Sequence, residues 1–158
     1  MRKNKFLIFY VSIILILNSC GFQLRKPIEL DYQSYAIIGK SSEISKKLHR
    51  QFSFADIKEV NNGSADLIIE ILNNDYTKRI LSLAGNGQVG EYEIIQILEY
   101  RINTKGKWSE PRKLEVVREY TYDPSLYNAA AAEEGYLRKS MEEELSKSLL
   151  TEINNIGK

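Results

Sequence analysis

The chain has 158 residues, with 22 Lys and Arg, 21 Asp and Glu, one Cys and one His. A formal net charge of +1, or about −2 without the three basic residues of the first five, excludes a strongly basic nucleic-acid-binding domain but not a local basic patch. One Cys and one His are too few for the usual zinc site, and we expect neither a metal nor a cofactor. The length suits one small domain.

Residues 1–19 have the composition of a secretory signal peptide. Three of the first five residues are basic, and the run from Phe6 to Leu17 is apolar except for Ser12. This run is shorter than the roughly 20 residues that a membrane-spanning helix needs. A basic start followed by a short apolar run therefore predicts a cleaved signal peptide.

The chain's single cysteine lies directly after this segment. Leu17-Asn18-Ser19-Cys20 is similar to the lipobox of bacterial lipoproteins. The resemblance implies cleavage before Cys20 and lipids on its thiol and its new amino group. A free cysteine after an uncleaved anchor is the alternative. The mature chain would then contain a lipidated tether, residues 20–33, and a folded domain, residues 34–158.

The first elements of the domain are a short strand and a helix. Tyr35–Gly39 is an apolar strand candidate, and Ser41 or Ser42 can cap the helix that follows. Apolar residues spaced by four place one face of that helix in the core: Ile44, Leu48 and Phe52. His49 is on another face, which predicts a solvated residue. The segment 57–63 is predicted to be a loop.

Three long strands are predicted next, over residues 65–83, 89–103 and 114–122. Each alternates apolar or aromatic residues with polar ones, which is typical of strands with one buried face. The predicted inward positions are Leu67, Ile69, Ile71, Tyr92, Ile94, Leu98, Tyr100, Ile102, Leu114, Val116, Tyr120 and Tyr122, with Gln96 as the exception. Gly85-Asn86-Gly87 and Thr104–Lys107 supply the two turns.

Asp123-Pro124 predicts the start of a final helix that ends near Ile156. Its apolar stripe is Leu137, Met141, Leu145, Leu149, Ile153 and Ile156. The element order predicts a two-layer α+β domain, with two helices packed on one face of a four-stranded, mainly antiparallel sheet.

No catalytic pattern is present in the sequence. A lone histidine and a lone cysteine in different segments do not make a nucleophile and base, and no phosphate-binding G-x-x-x-x-G-K loop occurs. We therefore expect a binding or structural lipoprotein, not an enzyme.

Three motifs resemble one family along the whole mature chain. Residues 20–25 read CGFQLR, residues 86–92 read NGQVGEY and residues 118–124 read REYTYDP. Together they are similar to the LPS-assembly lipoprotein family, LptE. The resemblance implies an outer-membrane lipoprotein, anchored through Cys20, that plugs and helps assemble the LptD β-barrel for lipopolysaccharide transport to the cell surface. Gly21, in place of Asp, agrees with outer-membrane sorting.

The resemblance also implies site residues. A hairpin tip would face the barrel or lipopolysaccharide, through Asn86, Gly87, Gln88, Glu91 and Tyr92. A strand-to-helix motif would organise the start of the last helix, through Arg118, Tyr120, Asp123 and Pro124. Some family members carry basic residues where this chain has Gly85 and Ala130. Lys78 and Arg79 are candidate replacements for contact with lipopolysaccharide, and Lys105 and Lys107 lie in the other turn.

A second hypothesis is an auxiliary lipoprotein of another periplasmic transport system. It would share the lipid anchor and the small α+β domain, but it would not need the Asn-Gly-Gln hairpin. Its partner would be an inner-membrane or periplasmic complex. A periplasmic enzyme is the third hypothesis, and the sequence offers no residues for it.

Overall fold

The central unit of the fold is a long antiparallel hairpin. In a computed structural model, residues 30–40 and 42–156 are described; the predicted signal peptide, Cys20 and residues 20–25 of the first motif lie outside these ranges. Strand β3 spans Leu67–Leu83 and strand β4 spans Val89–Thr104. Strand β6, Arg112–Thr121, pairs antiparallel with β4. The three long strands predicted from alternation are confirmed.

Short strands extend this sheet on both sides. Strand β1, Ser34–Gly39, pairs parallel with β3, and β2, Lys58–Glu59, pairs parallel with β1. Strand β5, Lys107–Trp108, pairs antiparallel with the end of β4. The sheet order is β2-β1-β3-β4-β5, with β6 also on β4.

The prediction of a four-stranded, mainly antiparallel sheet was therefore only partly right, because the sheet has six strands and is mixed. Strand β2 lies inside the segment predicted to be a loop, and a 3-10 turn, Asn62–Ser64, follows it. Strands of two residues are too short to show an alternating pattern. The chain crosses over from β1 through a helix before it returns to the sheet, and this connection makes the pairing parallel.

Both predicted helices are present. Helix α1 spans Glu43–Phe54, and the Ser42 hydroxyl caps it by accepting a hydrogen bond from the Ser45 amide at 3.2 Å. Its residues Ile44, Leu48 and Phe52 are completely buried. His49 is not simply solvated, because its Nδ1 lies 2.9 Å from the Tyr35 hydroxyl.

Helix α2 spans Tyr127–Ile156 and follows a 3-10 turn, Pro124–Leu126. Its completely buried residues match the predicted stripe and are Met141, Leu145, Leu149 and Ile153. Leu137 and Ile156 are only partly buried at the two ends of the stripe. Both helices pack on the same face of the sheet and share one core with the inward residues of β3, β4 and β6.

An irregularity in β3 changes which residues face the helices. Ile71 pairs with Tyr100, but Asn73 pairs with Glu99, so one residue of β3 is skipped. Side chains alternate between faces, and the skipped residue shifts that alternation by one. Odd-numbered residues face the helices before the irregularity, and even-numbered residues such as Asn74 do so after it. The buried Gln96 side chain donates to Asn74 Oδ1 at 3.1 Å, which explains the exception in the β4 pattern.

Gly39 ends β1 where its backbone lies against β3. Its φ is +95°, and a Cβ at this position would overlap the Ile71 carbonyl oxygen. We predict that Gly39→Ala lowers the free energy of unfolding by about 2–4 kcal/mol, through left-handed strain and steric overlap. Urea denaturation followed by circular dichroism measures this change.

Gly135→Ala is the matched control, because Gly135 is helical and a Cβ there meets no atom within 4 Å. Alanine should stabilise the helix by about 0.5–1 kcal/mol. Equal effects of the two substitutions would contradict the close approach of β1 to β3.

Candidate functional site

The tip of the β3–β4 hairpin is a small, self-contained turn. The Ala84 amide donates to the Gln88 carbonyl at 2.7 Å, and the Gly87 amide donates to the Ala84 carbonyl at 2.9 Å. The Asn86 side chain closes the turn by accepting from the Gln88 amide at 3.1 Å and donating to Gln88 Oε1 at 2.9 Å. Asn86 and Gln88 thus use part of their hydrogen-bonding capacity to fix the turn.

Gly87 allows this turn. Its φ is +80°, a conformation that glycine adopts without the penalty that a Cβ would bring. No atom lies within 4 Å of the position of a Cβ, so the space around Gly87 is open. The turn is therefore presented outward.

The tip half of the hairpin is exposed. From Thr77 to Leu83 every β3 residue except Ser82 is exposed. Three of them are large apolar residues: Ile80 at 56%, Leu81 at 41% and Leu83 at 63% exposure. The hairpin thus presents a surface that the rest of the described chain does not cover.

Behind the tip, Tyr92 begins an aromatic cluster. Its ring packs edge-on against Tyr122, with centroids 5.2 Å apart, and lies 5.7 Å from Tyr120. Lys78 Nζ lies 4.0 Å from the Tyr92 centroid, a cation–π distance. Glu91 faces elsewhere and accepts from the Ser82 hydroxyl at 2.7 Å.

Glu134 on α2 joins this cluster to the helix. Its Oε2 accepts from the Tyr120 hydroxyl and from Lys78 Nζ, each at 2.6 Å. Its Oε1 accepts from the Tyr76 hydroxyl at 2.9 Å. One carboxylate therefore holds three side chains from two strands against the helix.

These contacts shift the pKa values of the groups in opposite directions. Burial alone would raise the pKa of Glu134, but the hydrogen bonds from Lys78, Tyr120 and Tyr76 outweigh it and hold that pKa below its usual range. Burial alone would lower the pKa of Lys78, yet its bonds to Glu134 and Tyr120 raise it. Burial and the adjacent Glu134 carboxylate raise the pKa of both tyrosines. The carboxylate and the ammonium group therefore both stay charged near neutral pH.

Arg79 is also paired, on the opposite face of the sheet. Its Nη2 lies 2.6 Å from Glu93 Oε2, and its Nε donates to the same oxygen at 2.8 Å. Glu93 is buried although it lies on the face of the sheet that was predicted to be exposed to solvent. Lys78 and Arg79, the two basic candidates for lipopolysaccharide contact, thus both have acidic partners within the chain.

Arg118 connects β6 to the middle of α2. Its Nη1 donates to the Val117 carbonyl at 2.8 Å, and its Nη2 is bonded to Glu144. Asp123 has a different role from Arg118, because it caps the 3-10 turn that follows. Asp123 Oδ1 accepts from the Ser125 amide at 2.8 Å and from its hydroxyl at 2.6 Å, and these bonds lower the pKa of Asp123.

Pro124 is the first residue of the 3-10 turn, where its missing amide hydrogen costs nothing. The structure therefore brings Tyr92 and Tyr120 together with Lys78, while Asn86, Gly87 and Gln88 form a separate tip. Arg118 and Asp123 each make local contacts.

Sequence reasoning missed Glu134 and Tyr76. Glu134 belongs to a run of polar helix residues, and Tyr76 is out of phase with the alternation that precedes it. The irregularity after Ile71 is what places Tyr76 on the helix side. The available signal was the break in alternation at Asn73-Asn74-Asp75, after which Tyr76 and Lys78 occupy alternate positions.

Within residues 30–40 and 42–156, no group of three or more His, Cys, Asp or Glu residues is arranged to hold a metal ion. No helix among these residues is long and apolar enough to cross a membrane.

The Glu134 contacts lead to a stability prediction. Glu134→Gln should lower the free energy of unfolding at pH 7 by about 1–3 kcal/mol, because hydrogen bonds to a charged group are replaced by neutral ones. Urea denaturation measures it. Glu133→Gln is the control, because Glu133 is exposed and has no ion pair in the described part of the chain.

The pH dependence gives an independent check. The pKa of Glu134 is lowered by folding, so its contribution is complete above the ordinary value of 4.5 and is lost as the pH falls through the lowered pKa. Glu134→Gln should therefore flatten the loss of stability below that pH. An unchanged acid limb would contradict the assigned contacts.

Comparison with known proteins agrees with the resemblance in the motifs. A family profile described as LptE, Lipopolysaccharide-assembly, matches residues 26–153. The LPS-assembly lipoprotein LptE of Pectobacterium atrosepticum is 24% identical, over 99% of this chain and 89% of that protein.

Two solved structures have a similar fold. The solution structure of an uncharacterized lipoprotein B from Nitrosomonas europaea has a TM-score of 0.73 and 27% identity, over 86% of this chain and 92% of that chain. The crystal structure of the rare lipoprotein B from Shewanella oneidensis has a TM-score of 0.68 and 24% identity, over 78% and 93% of the two chains. With a family profile that matches most of its length, this chain belongs to the LptE family.

Proposed function

We propose that this chain is an outer-membrane lipoprotein that occupies and helps assemble the LptD β-barrel, through which lipopolysaccharide reaches the cell surface. The observation that carries the proposal is the exposed hairpin tip on a folded body of the LptE family. The lipid anchor at Cys20 and the barrel partner are parts of this proposal.

The length of the hairpin supports it. The described chain begins at Leu30, near the end of the sheet where Tyr35 pairs with Leu67. The tip is at the other end of β3, a strand of 17 residues, which corresponds to about 55 Å at roughly 3.3 Å per residue. A bilayer with its headgroups is about 40–45 Å thick. A body anchored at one membrane surface could therefore place its tip near the other surface, if a barrel surrounded it.

The surface chemistry supports the same reading. The sheet face opposite the helices carries charged residues that are paired with one another, including Arg79 with Glu93 and Arg101 with Glu70. Charges that are paired with opposite charges keep the surface polar without giving it a large net charge. Such a surface suits the polar interior of a large outer-membrane barrel.

At the tip, we propose that Asn86, Gly87 and Gln88 contact the barrel or lipopolysaccharide directly, and that Glu91 and Tyr92 support them. Contact of Lys78 or Arg79 with a lipid phosphate remains a prediction. It requires these cations to share their charge with Glu134 and Glu93, so we expect their contribution to be smaller than that of the tip.

Copurification tests the partner. The tagged chain, extracted from its own envelope in mild detergent, should bring down a large β-barrel in stoichiometric amount. A periplasmic or inner-membrane transport complex in its place would favour the auxiliary-lipoprotein hypothesis, and the absence of any partner would also contradict the proposal.

Gly87→Val tests the tip. It should reduce the copurified barrel several-fold, because valine disfavours the positive φ and alters the turn. Gly106→Val is a closely matched control. Gly106 has a φ of +78° against +80° for Gly87, both lie in open space, and Gly106 is in the turn at the opposite end. Equal barrel recovery from the two variants would show that the tip has no special role.

A further inference from the structure

A cavity of about 1010 Å³ lies at the end of the sheet opposite the tip. The turn between β4 and β5 contributes Lys105 to its lining, β5 contributes Lys107 and Trp108, and the segment before β1 contributes Asp31 and Tyr32. The candidate hairpin site includes none of these residues, so the cavity is a separate feature.

The position of the cavity relates it to the proposed anchor. Leu30 is the first described residue, and its neighbour Asp31 lines the cavity. The ten residues from Cys20 to Leu30 span at most about 35 Å when fully extended. A lipid anchor at Cys20 would therefore hold this end of the domain close to a membrane surface.

One of the two lysines of the lining, Lys105, lies in a turn position that lysine does not favour. Lys105 has a φ of +54° and Gly106 a φ of +78°. Two consecutive positive φ values define the tight hairpin turn in which Asn, Asp or Gly usually precedes Gly. A lysine at this position is strained, and such strain is found most often where a side chain has another role.

These lysines also differ from the basic residues of the hairpin. Neither Lys105 nor Lys107 forms an ion pair with any residue among 30–40 and 42–156, and both are exposed. Lys78 and Arg79, in contrast, are paired with Glu134 and Glu93. The anchor end thus offers two cations that are available to an anionic group.

Trp108 gives the same end an amphipathic aromatic residue. Trp108 is 37% exposed as a residue, and the Arg101 guanidinium lies 4.4 Å from the ring centroid, which holds the ring on one side. Indole rings are favoured where apolar and wet surroundings meet, as at a membrane surface. It is the chain's only tryptophan.

The acidic residues of the lining complete the pattern. Asp66 Oδ2 already accepts from the Ser34 hydroxyl at 3.0 Å and from the Gln33 amide at 3.3 Å. Asp31 is exposed and has no ion pair in the described part of the chain. A ligand with a phosphate beside an ammonium group would meet cations and a carboxylate in one cavity.

We propose that this cavity and its turn form a docking surface for the headgroups of amine-bearing phospholipids in the membrane leaflet that holds the anchor. Lys105 and Lys107 bind the phosphate, Asp31 binds the amine, and Trp108 lies at the interface. The proposal rests on the lipid anchor of the proposed function, but not on the barrel.

Tryptophan fluorescence tests it directly, because Trp108 is the sole source of the signal. The mature lipidated protein is reconstituted into vesicles of phosphatidylethanolamine and phosphatidylglycerol that contain a lipid with a headgroup nitroxide. Docking predicts quenching and a blue shift of the emission. Emission identical to that of the protein in detergent micelles without the nitroxide lipid would overturn the proposal.

Charge variants identify the groups responsible. Lys105→Gln with Lys107→Gln should reduce the quenching to about a third or less, because each lysine near a membrane surface contributes to binding. Lys139→Gln with Lys147→Gln, which removes two exposed helical lysines, should leave the quenching unchanged. Asp31→Asn should reduce the quenching in phosphatidylethanolamine more than in phosphatidylglycerol alone. An equal effect of the two lysine pairs would overturn the proposal.

Lys105→Asn separates binding from folding. Asparagine tolerates the positive φ, so this variant should raise the melting temperature while it lowers the quenching. If the quenching rose together with the melting temperature, Lys105 would have only a structural role, and the proposal would be overturned.

Mass measurement of the purified protein checks the anchor, and an unlipidated chain would overturn this proposal together with the anchor. If the lipidated chain recovered the barrel in full but its tryptophan emission were not quenched, this proposal alone would be overturned.

Discussion

The pairing of β3 with β4 is the constraint on which the rest of the structure depends. The ladder continues from the Leu67–Thr104 pair to the Leu83–Val89 pair, and both β1 and β6 are added to its sides. The helices pack on the base of this ladder and leave most of the tip half of β3 exposed, including the apolar residues Ile80 and Leu83. The skipped residue after Ile71 then decides which side chains of β3 face the helices. Without it, Tyr76 and Lys78 would lie on the opposite face, since a shift of one residue exchanges the two faces of a strand.

The Glu134 cluster shows how the fold uses its charges. A carboxylate that accepts from a lysine and two tyrosines attaches the exposed half of the hairpin to α2. In this half of the hairpin, these hydrogen bonds take the place of the apolar packing that supports the base of the sheet. The same arrangement neutralises Lys78, while Glu93 neutralises Arg79. The hairpin therefore presents polar and apolar groups at its tip instead of unpaired cations.

The two ends of the hairpin have opposite character. The tip carries an Asn-Gly-Gln turn and exposed apolar residues, and the opposite end carries a Lys-Gly turn, two exposed lysines and a tryptophan. Each turn contains a glycine with positive φ, Gly87 and Gly106. The residue before each glycine differs in backbone conformation, because Lys105 has a positive φ and Asn86 does not, so the two ends differ in turn geometry as well as in side chains. This difference supports the proposal of a membrane anchor at one end and a partner at the other.

The sequence by itself determined the elements that depend on local patterns. Alternation in β3, β4 and β6, spacings of four in α1 and α2, and caps at Ser41 or Ser42 and at Asp123 all involve residues close together in the chain; the structure selects Ser42. Its motifs also identified the LptE family, which the comparisons confirmed. Only the tertiary structure decided the parallel pairing of β1, the two short strands and the cluster around Glu134. Tyr76 and Glu134 are 58 residues apart, and an irregularity in one strand controls whether they meet. A contact of this kind depends on strand register and helix placement together, and no short stretch of sequence encodes either one.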